Sequence, residues 1–373
     1  MHNLKLQRTH APFFSAFSAL LFALFVLTAH AAKPVSATNF LFSANQAAHS
    51  LNAYQVNAST GILTEMSGSP FHMGQYPVAV SMSPDSEFLY VTNQGSNSVS
   101  VLHLDAKHAQ LTATANTSIP AEEYPDSITI SPDGCFAYVT NEDENKVHTF
   151  TRNKLTGALT KTGLQAKTGD HPISVMLSPN GKFAYVSNFY GNSLSTYAVD
   201  PFTGALTSTG PAVATDDNPI YVRLSPDDRF VFVANYGSTT VSAFSVNMTD
   251  GTLTPVPGSP FLAGAKPYSV TVDPTQHFVY VANWGSHDVS GFQLDSASGK
   301  LHEIKGSPYK ADWYPYAVVV DPSARFAYVA NNGAGNISGY RIDAHSGALQ
   351  ELPGSPFASD LGPYGLAISH FKP

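Results

Sequence analysis

The 373-residue chain carries 19 Lys and Arg against 27 Asp and Glu, a formal net charge of −8, and 43% of its residues are hydrophobic. That acidic balance disfavours nucleic acid as a partner, since such binding rests on neutralising phosphates. A single cysteine, Cys135, excludes an intramolecular disulfide framework.

At the start of the chain, Lys5 and Arg8 precede the apolar run "APFFSAFSALLFALFVL", and "TAHAAKP" follows, with Ala29 and Ala31 as the small residues of a cleavage site. Residues 1–31 are therefore expected to be a secretory signal peptide, placing the protein in the periplasm or the medium. No later segment approaches the roughly 20 apolar residues of a membrane-spanning helix. Residues 32–373 keep 17 Lys and Arg against 27 Asp and Glu, a net charge of −10. Their length exceeds what one compact core usually serves, so two domains or a repeat architecture is expected.

Prolines at 77, 125, 172, 219, 267, 315 and 363 recur every 47 or 48 residues, and asparagines at 45, 93, 141, 188, 235, 283 and 331 keep step. Each repeat offers four strand-sized pieces, in one copy "ISVMLS", "FAYVSN", "SLSTYAV" and "ALTSTG". The first two are joined by tight turns such as "PDGC" and "PNGK". The last two are joined by turns such as "DPFTGAL", with glycine at a left-handed position; the copy holding Lys107 and Gln110 lacks that glycine. Cys135 aligns with Glu87, Lys182 and Arg229 and reads as an exposed turn residue. The chain ends are complementary: Thr38 to Phe71 supplies three strands and Pro363 to Ser369 a first one. The prediction is an all-β fold, a single seven-bladed β-propeller of four-stranded blades spanning residues 32–373, closed by a split blade that leaves no free end strand. Such a ring needs no partner copy, and a monomer is expected.

The literal "YVTN" at Tyr90–Asn93 and Tyr138–Asn141, with "YVSN", "FVAN" and "YVAN" elsewhere, resembles the YVTN-repeat propellers. The blade pattern around "SPDGCFAYVTN" also resembles the seven-bladed lactonase family, which includes the propeller-type phosphogluconolactonases. The resemblance spans essentially all of residues 32–373. It implies an Arg-His pair after the proline of one inner strand and Asn-Glu at the end of the next strand. Asn141 and Glu142 match the second element, whereas Asp126 and Ser127 stand where Arg-His would be, so a phosphosugar substrate is not expected.

Regular turns serve every blade alike, so an asymmetric ligand must meet the irregular rim, made by the loops before each proline and after each asparagine. The asparagines themselves read as structural, tying off the second strand through bonds to backbone. Tyr236, Trp284, Tyr268, Tyr316 and Tyr364 fall on this rim, where they stack on a sugar or other flat ligand or else seal the channel. Asn141, Asp126 and Lys266 complete the candidate ligand-binding set. The rim loops hold twelve acids against four lysines, which disfavours an anionic ligand. Glu122, Glu123, Asp126, Glu142, Asp143 and Glu144 fall in one blade, a set of oxygen ligands able to hold calcium if they converge.

For catalysis, Glu142 and His171 sit on adjacent blades of the same rim, one as a base and the other facing a carbonyl oxygen. No nucleophile elbow, zinc helix or phosphate-binding glycine loop is present. The sequence expectation is an exported propeller that binds a small-molecule, glycan or protein ligand through its irregular rim. The alternative is hydrolysis of an unphosphorylated lactone with Glu142 at its centre. Deleting residues 362–373 is expected to open the ring and lower the melting temperature; an unchanged melting temperature would refute closure by a split blade.

Overall fold

A computed structural model describes residues 39–369. The expected signal peptide, residues 1–31, lies outside them. Among the described residues no helix is long and apolar enough to cross a membrane. The strands form seven antiparallel sheets arranged as the blades of a propeller, each running outward from an inner strand that opens at one of the seven prolines. In the Pro125 blade these are Pro125–Ile130, Phe136–Asn141, Lys146–Arg152 and Leu159–Lys167. The closing blade pairs the inner strand Pro363–Ile368 with Asn39–Asn45, the split predicted from the sequence. Gly365 lets that strand approach the inner strand of the next blade, Pro77–Met82: a Cβ there would lie 2.5 Å from the Val78 carbonyl oxygen.

The blades differ from the expected pattern at their outer edge. The fourth strand is continuous in the Pro77 and Pro125 blades, but elsewhere it breaks into two short pieces, such as Leu253–Pro255 and Phe261–Leu262, both paired with the third strand. Proline and glycine in "PVPGSPF" account for the break, since proline cannot donate to a ladder. Cys135 is half-buried at the margin of a core cluster, not exposed as its aligned neighbours imply.

The core lies between blades and is stitched by a repeated contact. The turn glycine of one blade sits under the phenylalanine that opens the second strand of its neighbour. A Cβ on Gly157, where φ is +72°, would meet Phe88 at 2.3 Å. The same glycine's carbonyl accepts a hydrogen bond from Tyr90 Oη at 2.9 Å, and Tyr280–Gly347 and Tyr328–Gly61 repeat it at 2.7 Å. Each bond contributes about 0.5–1.5 kcal/mol, and each ring about 1.5–3 kcal/mol by its burial. In the blade lacking the glycine, Ala109 holds the left-handed turn itself, at φ 50°.

The asparagines correct their expected role. Asn93 Nδ2 donates to Ser98 Oγ and Ser100 Oγ, and Asn188, Asn235, Asn283 and Asn331 likewise reach side chains five and seven residues on. The partners are therefore mainly third-strand side chains. Asn141 is the exception and donates to the Glu123 carbonyl at 3.1 Å, because Lys146 and His148 occupy the positions that carry hydroxyls elsewhere.

Gly157→Ala is expected to destabilise the protein by about 1–3 kcal/mol, the scale of overpacking a filled site. Gly210→Ala, where the space around a new Cβ is open, is the control and should be near neutral. Urea unfolding of both variants checks the inter-blade stitch; equal stability would sink it.

Candidate functional site

Two features of every blade aim side chains at the axis of the irregular rim. The residue before each inner-strand proline is left-handed, from φ 49° at Tyr124 to φ 74° at Gly362, and its carbonyl accepts the N–H of the residue after the neighbouring asparagine. Glu142 N–H thus bonds the Tyr124 carbonyl at 3.2 Å, and Phe189 N–H bonds the His171 carbonyl at 2.9 Å. The preceding blade holds the pre-proline N–H in turn: Asn145 Oδ1 accepts from His171 N–H at 2.7 Å, and Asn97 Oδ1 from Tyr124 N–H at 3.1 Å. Main chain is fixed this way while side chains vary freely.

The second feature is a β-bulge at the start of each inner strand. In the Pro315 blade, Pro315 and Ala317 pair with Asn331 and Ala330, which leaves Tyr316 as the extra residue. An extra residue turns its side chain out of the ordinary alternation. The bulge residues Asp126, Ile173, Ile220, Tyr268, Tyr316 and Tyr364 all line a cup of about 250 Å³ on the axis, together with Gln94, Glu142, His171, Phe189 and Tyr236.

One wall of the cup is ionisable and comes from three blades. His171 Nε2 lies 2.9 Å from Glu142 Oε2, and Gln94 Nε2 donates to Glu142 Oε1 at 3.2 Å. Asp126 is buried against Glu142, and its Oδ1 has no hydrogen-bond partner among the described residues. Desolvation first, then Glu142 beside it, push Asp126 well above the ordinary value of 3.8. Two carboxyl groups in contact form a hydrogen bond only while one holds a proton, and Asp126, the more enclosed, is the one that keeps it.

The opposite wall and the floor are aromatic. The rings of Tyr268, Tyr316 and Tyr364 pack with centroids 4.2, 4.5 and 5.7 Å apart, and the Tyr268 and Tyr364 hydroxyls share a short hydrogen bond. These tyrosines both line the cup and close the channel beneath it. Trp284 lies outside the cup lining, stacked on Tyr314 at 4.6 Å, and Lys266 Nζ lies 5.2 Å from the Tyr236 ring and 4.9 Å from that of Trp284. No Lys or Arg lines the cup itself.

The remaining sequence candidates are placed apart. Asn141 is buried on the Glu123 carbonyl and does not line the cup. The six acids of the Pro125 blade do not converge: Glu122 pairs with Lys161 at 2.6 Å, Glu144 with Lys146 and His148 at 3.2 and 3.1 Å, and Asp126 and Glu142 face the axis. Glu123 and Asp143 are exposed. Among the described residues no group of three His, Cys, Asp or Glu is placed to hold a metal ion. Gln94 occupies the same post-asparagine position as Glu142, so sequence gives its place on the rim but not its bond to that carboxylate. Tyr221 and Arg223, farther down an inner strand, face the axis and lie outside every rim pattern; the signal for them is a bulky ring where the other inner strands carry Ala, Ser or Gly and a charge where they carry neutral residues.

The sequence matches the family "Lactonase, 7-bladed beta-propeller" over residues 66–175, 165–268 and 256–359, and the chain belongs to that family. A comparison with curated proteins found no match. Among solved structures, a candidate 6-phosphogluconolactonase from Bacteroides fragilis NCTC 9343 superimposes with a TM-score of 0.80 at 17% identity, covering 91% of this chain and 100% of that one. A second candidate 6-phosphogluconolactonase, from Bacteroides uniformis ATCC 8492, gives 0.79 at 17% identity over 90% and 100%. The periplasmic gluconolactonase of Pseudomonas aeruginosa gives 0.72 at 18% identity over 90% and 99%. At these identities the likeness establishes the fold.

Asp126 also generates a stability prediction. Its folded-state pKa is raised, so its contribution is fully present below about 3.8 and is lost as pH rises through the folded value. Asn does not titrate. Asp126→Asn should therefore gain on the parent by up to about 1.4 kcal/mol per pH unit above the ordinary carboxyl range, the slope for one retained proton. Urea unfolding at pH 4 and pH 8 measures it, and a difference independent of pH would show that Asp126 ionises normally.

Proposed function

We propose that this protein hydrolyses an unphosphorylated lactone in the axial cup. The observation that carries the reading is the meeting of Asp126, Glu142 and His171 on one wall of a cavity whose floor is tyrosine. Paired carboxyl groups in unlike environments divide the roles of acid and base. Glu142, oriented by His171 and Gln94, takes a proton from a water whose oxygen adds to the lactone carbonyl carbon. As the tetrahedral adduct collapses, the ring C–O bond breaks, and the leaving oxygen takes the proton held by Asp126. The product is a hydroxy acid, and the proton on Glu142 returns to Asp126.

The same cup argues against a phosphorylated substrate, since its lining offers no Lys or Arg for a phosphate while two carboxyl groups face the cavity. Tyrosine faces suit the apolar face of a sugar ring. Export to the periplasm or medium, expected from residues 1–31, fits a substrate found outside the cytoplasm, and the Pseudomonas neighbour is named a periplasmic gluconolactonase. A second reading, glycan binding without chemistry, draws on the Trp284–Tyr314 stack and Lys266 beside the cup.

The test is pH-stat hydrolysis of sugar and acyl lactones, each beside its phosphorylated counterpart where one exists, corrected for spontaneous opening. Saturable turnover of neutral lactones is expected, reduced at least ~100-fold in Glu142→Gln, the scale of lost general-base catalysis. Background rates in both folded proteins would replace hydrolysis with the glycan-binding reading.

A further inference from the structure

Below the tyrosine floor the axis opens into a second cavity of about 490 Å³, walled by the inner strands. Its lining is aliphatic and hydroxyl-bearing, with one charged side chain, Arg223. The matching positions of the two adjacent inner strands are Met176 and Thr271, and one step nearer the cup Tyr221 lies between Ser174 and Ser269. Tyr221 also meets the floor, its ring 5.9 Å from that of Tyr268.

Arg223 is unlike the other arginines of the described residues. Arg152, more deeply buried, has Asp85 at 3.0 Å and Tyr90 Oη at 2.6 Å. Arg229 and Arg325 donate to backbone carbonyls at the surface, and Arg341 lies over the Phe326 ring. Arg223 donates to Met176 Sδ at 3.4 Å, a weak acceptor, and forms no ion pair among the described residues. The lining supplies no carboxylate to it. A guanidinium drawn into a cavity without a counter-charge is costly, and its planar fork matches a carboxylate.

We propose that the lower channel is an anion-binding site, separate from the cup, in which Arg223 takes the carboxylate of a small hydroxy acid while the serine and threonine hydroxyls around it bond the ligand's own. The volume suits such a molecule. This site does not depend on the hydrolysis proposed for the cup, and Arg223 touches none of the cup's ionisable groups.

Isothermal titration calorimetry of glycerate into the full protein, at ionic strength held constant with chloride, tests it. One saturable event at ~1 mM or tighter is expected, unchanged in Glu142→Gln and weakened at least 10-fold in Arg223→Gln. Arg223→Lys keeps the charge and removes the fork; it guards against a misfolded Gln variant and should also weaken binding. Equal binding by parent and both Arg223 variants, or no binding by the parent, overturns the site. Inorganic phosphate binding at Arg223 in preference to glycerate overturns its assignment to a carboxylate.

Discussion

The rim of this propeller depends on one backbone contact, the hydrogen bond from the residue after each second-strand asparagine to the left-handed residue before the inner-strand proline. It recurs in all seven blades, and its partners are main-chain atoms. A left-handed residue ahead of a proline satisfies the ban on right-handed helical geometry there and turns its carbonyl toward the neighbouring strand. Because no side chain takes part, both positions are free to carry Glu142, His171, Tyr236 or Lys266 without loss of the ring. Asymmetry is laid on a symmetric frame without changing the frame's main-chain bonds.

The chemistry of the cup follows from what that frame brings together. Glu142 comes from one side of the lock in one blade and His171 from the other side in the next, so their 2.9 Å contact is a consequence of blade succession. Asp126 enters by a different route, as the bulge residue of its inner strand. It sits where the family resemblance implies a cation, which reverses the charge of this wall. A buried carboxyl beside a carboxylate cannot be left ionised at low cost, so the reversal converts a potential anion site into a proton store.

The repeat was legible because its period, its prolines and its turn glycines serve the same geometry in every copy. The split blade was legible for the same reason, as Asn39–Asn45 and Pro363–Ile368 each lack what the other supplies. Contacts were not. Asn141 looks like its six counterparts, yet Lys146 and His148 deny it their usual hydroxyl partners and send its amide to the Glu123 carbonyl. The six acids of one blade share a short stretch of sequence, but alternation along the strands and loops disperses them. Arg223 lies outside the rim patterns, and only the bulges reveal which positions below the first face the axis.

The tyrosine floor gives the axis its division of labour. A seven-bladed ring leaves an open bore, which in most positions here is lined by small residues such as Ala79, Ser127, Ser174 and Gly365. Three consecutive bulge tyrosines, Tyr268, Tyr316 and Tyr364, bridge that bore from adjacent blades. Burial drives the Tyr268 and Tyr364 phenols well above their ordinary 10.0, so they remain neutral and their hydroxyls bond each other. These neutral rings stand between the cup and the lower channel, and Arg223 makes no ion pair with the cup's carboxyl groups. The floor therefore divides one bore into a proton-bearing wall above and, below, a guanidinium with no ion pair among the described residues.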